Sequence, residues 1–219
     1  MKRHFLPVII AAAFFLSVTG SCIGISSEIT LRRDGSGTVN LEYRLSRELE
    51  SLGRMDGNEG RPPVPVGRGD FERTAARIPG LALKSFKSGI EGNDAVYRVT
   101  LSFADTDALI RFLDASGQRA SLSGENGRNR LSLVLADGGG PVDPGLGELA
   151  ASACRGYFLT LNFSLPAKAD IALTDGAGRH IDPPQGWKLA GGSRPSFSAP
   201  MGEALLFDGP LCLEIEWGR

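Results

Sequence analysis

Histidine and cysteine are scarce in this chain, with two of the first and three of the second in 219 residues. His4 falls within the first 21 residues, so His180 stands alone in the body, inside the turn-like run Gly178-Arg179-His180-Ile181-Asp182. One histidine and so few cysteines cannot assemble an ordinary zinc site, and neither a metal nor another cofactor is expected. No Gly-x-Ser-x-Gly elbow accompanies the histidine. Asp34-Gly35-Ser36-Gly37 offers one carboxylate where a calcium loop needs several, and Thr38 stands where a Walker-type phosphate loop needs a lysine. Charge of one sign is not in excess either: 24 basic residues face 25 acidic ones. With no basic stripe interleaved with aromatics, nucleic acid is excluded as an expected partner. Lys and Arg do not cluster as an anionic lipid surface would require. Glu214 and Glu216 come nearest to a catalytic carboxylate pair, but the wet side of a half-buried strand has the same pattern. The chain is therefore not expected to be an enzyme, the alternative being an envelope hydrolase with carboxylates in a cleft.

What is present starts at the first residue. Lys2 and Arg3 form a positive region, residues 5–16 are uncharged and mostly apolar, and Ser17-Val18-Thr19-Gly20-Ser21-Cys22 is a run of small residues. This has the build of an export signal. Gly20-Ser21-Cys22 resembles the lipobox of bacterial lipoproteins, with Thr19 where that pattern usually has leucine. The resemblance implies cleavage after Ser21, a lipid on Cys22, and a partner in the membrane. Two other outcomes stay open: cleavage by an ordinary signal peptidase, or retention of the apolar stretch as a membrane helix, since nothing charged lies between Phe5 and Ser27. All three place the folded part outside the cytoplasm, in the cell envelope, with inner or outer membrane unresolved.

Without residues 1–21, Lys2 and Arg3 are lost and a net charge near −3 remains. The 198 residues left are enough for one large domain, or one with a small subdomain. If Cys22 is acylated, Cys154 and Cys212 are the pair left over, a candidate disulfide in an oxidising compartment. Cys154 is expected on a helix and Cys212 on the last strand. Two separate buried thiols are the alternative.

Apolar residues alternate from Ile29 to Leu31 and from Val39 to Leu45 about the turn at residues 34–37, predicting a hairpin with one apolar face. A second hairpin is predicted from Leu81 to Phe103 around residues 91–94, and a third from Ala120 to Leu135 around Asn126-Gly127. Short helices are predicted at residues 47–52, at 70–78 with Asp70 as cap, after Asp105, and from about Asp143 to Ala153. Residues 53–69 form a long irregular loop of linker composition, read as mobile rather than as a lid. Gly138-Gly139-Gly140-Pro141 marks the internal break, dividing residues 22–137 from a β-rich region at 138–219. Tyr157 to Leu165 and Leu211 to Trp217 alternate as strands, and no apolar span lies at the end of the sequence. The expected class is α+β, a mainly antiparallel sheet of hairpins with three or four short helices packed on one face.

The opening layout, Cys22 followed by Ile29-x-Leu31-x-x-Asp34-Gly35-Ser36-Gly37-x-Val39-x-Leu41, and the strand Tyr97-x-Val99-x-Leu101-x-Phe103 before Asp105, resemble the LppM-like domain of bacterial lipoproteins. The resemblance covers about the first half of the exported part. It implies an exported, membrane-attached domain that binds an envelope protein or a lipid-like, amphipathic ligand rather than catalysing a reaction.

Overall fold

The structure is a computed structural model that describes residues 23–47, 67–114, 119–125, 127–138, 145, 148, 152 and 154–218. Period-two alternation becomes strand nearly everywhere it occurs. The strands are β1 (Ile23–Leu31), β2 (Gly37–Ser46), β3 (Leu81–Glu91), β4 (Asp94–Phe103), β5 (Ala120–Glu125), β6 (Arg128–Asp137), β7 (Phe158–Ser164), β8 (Ala169–Thr174), β9 (His180–Ile181), β10 (Lys188–Ala190), β11 (Ser196–Pro200) and β12 (Pro210–Gly218). Helices α1 (Arg68–Arg77), α2 (Thr106–Leu113) and α3 (Met201–Leu205) interrupt them.

Two sheets result, one of seven strands in the order β10-β11-β7-β1-β2-β4-β3 and one of five in the order β5-β6-β12-β8-β9. All pairings are antiparallel except that of β1 with β7. Strands from both sides of Gly138 occur in each sheet.

The α+β expectation is thereby corrected. The fold is mostly β, 56% strand against 16% helix, with three helices among the described residues and two sheets instead of one sheet under a helical layer. The physical reason lies in the second sheet. Its central strand, β12, carries Leu211, Leu213, Ile215 and Trp217 inward, all 0–4% exposed. Together with Leu131, Leu133 and Leu173 they join one apolar cluster with Ile29, Val39, Leu101 and Phe163 of the first sheet. The five-stranded sheet thus covers much of the surface that helices were expected to cover. Each fully buried leucine or isoleucine contributes on the order of 1.5–3 kcal/mol, which makes sheet-on-sheet burial the main source of cohesion.

The helices finish what that sheet leaves open. Phe71 of α1 packs its ring 6.3 Å from both Tyr43 and Phe86, while Ala108 and Leu109 of α2 are buried in the same cluster. Asp105 caps α2, its Oδ1 accepting from the Ala108 amide at 2.8 Å. In α1 the cap is Gly67, and Asp70 sits a turn further in, accepting from the Gly67 amide at 3.0 Å. The helix predicted at residues 47–52 lies outside the described residues beyond Arg47, as do loop residues 53–66 and most of the helix expected before Cys154.

Candidate functional site

Alternation buries one face of the seven-stranded sheet and turns the other outward. Across its central strands the register sets polar side chains in rows. One row runs Ser196, Asn162, Glu28, Asn40, Thr100 and Ser85 from β11 to β3; the next runs Ser198, Thr160, Ser26, Glu42, Arg98 and Lys87. A broad depression of about 490 Å³ lies over these rows, with Arg194 on its lining, and a second of about 380 Å³ shares Ser26 and Glu42 with it. The second reaches Asp94, Arg155, Tyr157 and Phe158. Tyr157 donates its hydroxyl hydrogen to Asp94 Oδ1 at 2.6 Å, tying the turn before β7 to the hairpin on the far side.

One flank of this face is self-paired. Glu42 takes Arg44 Nε at 2.7 Å and Arg98 Nε at 2.7 Å, and Glu91 takes Arg44 Nη2 at 2.9 Å and Arg98 Nη1 at 2.6 Å, closing a four-membered ring of alternating charge. Burial pushes the Glu42 carboxyl up, but the two guanidiniums outweigh it and hold it below the usual glutamate range. Glu91 is held low mainly by its bond to Arg98. The other flank is open. Asn40 accepts from Thr100 at 3.0 Å and Thr160 shares a 3.2 Å hydrogen bond with Ser198. Glu28 and Arg194 enter none of the ion pairs among the described residues. Small hydroxyls and amides around one carboxylate and one guanidinium that make no ion pair with another described residue can recognise a polar partner by hydrogen bonding.

The ring has an acid signature. A carboxyl whose pKa is depressed by folding contributes stability above its ordinary value and loses it as pH falls. Stability is expected to decline from about pH 4.5 downward. Asp34, held low by Ser36, and Asp175, held low by the backbone and side chain of Arg179, add to the same slope. Urea melts from neutral to about pH 3 should show a shallower loss for Glu42→Gln than for wild type. Identical slopes would mean that the ring adds nothing.

The residues singled out from the sequence fall elsewhere. Cys22 lies outside the described residues. Cys154 sits in a turn, not on a helix, and is disulfide-bonded, whereas Cys212 is a free thiol on the outward side of β12. The expected Cys154–Cys212 bridge is therefore not formed. Burial, then Glu214, Asp137 and Asp175, push the Cys212 thiol up. Glu214 and Glu216 have separate partners: Glu214 Oε1 accepts from Ser132 at 2.7 Å and Glu216 pairs with Arg130. Glu214 Oε2 is buried without a partner, and nothing in its surroundings explains it. His180 is exposed, 3.5 Å from Asp182. No cluster of three potential metal ligands occurs among the described residues, and none of their helices is long and apolar enough to cross a membrane.

Sequence reading missed the polar face because its rows join distant segments: Glu42 and Arg98 are 56 residues apart. The signal that could have found it is the even-numbered polar set Asn40-x-Glu42-x-Arg44 beside Arg98-x-Thr100 and Thr160-x-Asn162-x-Ser164. No protein-family model matches the chain and no curated protein matches it, so neither comparison supplies a relative that would test the likeness to the LppM-like domain.

Proposed function

We propose that the chain is exported and works in the bacterial envelope as a non-catalytic binding module, taking a polar, hydrogen-bonding partner on the outward face of its seven-stranded sheet. The observation that carries this is the continuous set of polar rows, with Glu28 and Arg194 in none of the ion pairs among the described residues. Sheet edges offer less. The long edge strand β3 carries Lys84 and Lys87 and an irregularity between Leu83 and Ser85, devices that discourage strand addition, and β10 and β9 are three and two residues long. Ile90 and Phe158 are the exposed large hydrophobics among the described residues, which favours a polar partner over an amphipathic one. Export is supported by the leader-like residues 1–21 and by a disulfide at Cys154, which suits an oxidising compartment.

A co-sedimentation assay with isolated envelopes of the producing bacterium tests the binding face. Glu28→Arg combined with Asn162→Arg should weaken association about tenfold or more, near 1.4 kcal/mol, while Ser121→Arg on the other sheet leaves it intact. Equal binding by all three proteins would reject the proposed face.

A second reading keeps Cys22 as an acylated anchor, favoured by Gly20-Ser21-Cys22 at the end of the leader. Two or more acyl chains would hold the protein stably, at about 0.8 kcal/mol per buried methylene. Ile23 already pairs with Leu45 in β1, so such an anchor would hold the sheet directly against the headgroups, without a spacer. Loss of lipid labelling in Cys22→Ser is the result this reading requires.

A further inference from the structure

We infer that the partner taken by this face is a neutral glycan, whose hydroxyls meet the polar rows and one of whose sugar rings stacks on Phe158. The inference rests on the reading of the outward face as a binding surface and adds the chemistry of what binds there. Charge decides first. Among the described residues each depression is lined by two carboxylates and two guanidiniums: Glu28 and Glu42 against Arg98 and Arg194 in the first, Glu42 and Asp94 against Arg44 and Arg155 in the second. The face therefore offers many polar atoms and no net charge, which suits an uncharged polyol and gives a polyanion or polycation nothing to complement. The ring of ion pairs also holds its donors ready. It occupies Nε and Nη2 of Arg44 and Nε and Nη1 of Arg98, leaving each guanidinium its other Nη to donate to a hydroxyl. Asn40 spends Oδ1 on Thr100 and keeps its amide hydrogens for a ligand oxygen.

Phe158 is the second observation. Alternation along β7 puts it on the same face as Thr160, Asn162 and Ser164, and its ring is 46% exposed at the end of that row, lining the second depression. The face of an aromatic ring is electron-rich, and the C–H side of a sugar ring presents slightly positive hydrogens to it. From Phe158 to Ser164 the strand runs about 20 Å, room for several sugar units laid along it. A protein partner fits less well, because it would favour an apolar centre with a polar rim, and here the centre is polar and the aromatic ring stands at one end. An extended peptide would need an open sheet edge, which the lysines of β3 and the shortness of β9 and β10 discourage.

Fractionated envelopes of the producing bacterium decide it. Envelope protein is extracted, the residue is digested with protease, and the released neutral glycan is separated from acidic polymers on an anion exchanger; each fraction is immobilised beside intact envelopes. The full chain is expected to bind intact envelopes and the neutral glycan, with little loss when NaCl is raised to about 0.5 M, since no net charge is screened. Phe158→Ala, which removes an exposed ring, should weaken glycan binding about tenfold, and Phe158→Tyr should bind like wild type. Binding to intact envelopes with none to the neutral glycan, whether the protein or the acidic fraction is bound instead, overturns the glycan and leaves the face standing. Glycan binding that Phe158→Ala leaves unchanged also overturns the inference. Failure to bind intact envelopes removes the binding face itself.

Discussion

Replacing Gly37 by alanine is expected to destabilise the protein by about 3 kcal/mol or more, a large share of the roughly 5–15 kcal/mol that holds an ordinary domain folded. Gly37 opens β2 opposite Leu31 and Phe103, at the head of the central hairpin. A Cβ there would land on the Thr30 carbonyl oxygen and on the Phe103 ring. Phe103 is 2% exposed in the main core, so its ring has nowhere to go, and the carbonyl belongs to the backbone of the neighbouring strand. Gly89 makes the contrast: a Cβ on it meets nothing within 4 Å, and Gly89→Ala should leave stability within about 0.5 kcal/mol. Urea denaturation of the two variants checks the pair. A well-folded Gly37→Ala protein with an unchanged midpoint would show that the first two strands are not held as described.

The second large effect concerns the disulfide at Cys154. Cys154→Ser removes that cross-link and leaves a hydroxyl in the apolar cluster with Met201 and Ile25. The expected cost is about 2–5 kcal/mol, or a Tm lower by roughly 4–20 °C for a chain of this size. Reductant should lower the wild-type Tm by a similar amount and barely affect the variant. Cys212→Ser should do little, because that thiol is unbonded and half-exposed. A reductant-insensitive wild type would remove the bond from the account.

How far residues alone lead is seen by comparing β12 with β7. Leu211, Leu213, Ile215 and Trp217 alternate so regularly that a strand with one apolar face follows from the sequence, and so do the hairpins closed at Gly35, Gly92 and Gly127, whose strands are neighbours in the chain. Period two says which face a residue takes and nothing about which distant strand lies beside it. Hence β7 reads as a strand, while its parallel docking on β1 and the antiparallel docking of β11 on its other side do not. The same blindness produced the α+β expectation: a face that needs covering can be covered by helices or by a second sheet, and the latter is built by joining the third hairpin to β12 and β8. The spacing of Leu146, Leu149 and Ala153 predicts a helix that takes in Cys154, whereas residues 154–156 form a turn. The binding face was legible only in halves, as polar residues of uncommitted strands.

Site-specific photocrosslinking in intact cells tests the central claim most directly. A photoreactive side chain at Asn162 or Asn40 lies in the polar depression, and one at Ser121 lies on the five-stranded sheet. The account predicts discrete adducts from positions 162 and 40 and none from 121; adducts from 121 alone, or none from the polar face while the protein is folded and exported, would contradict it.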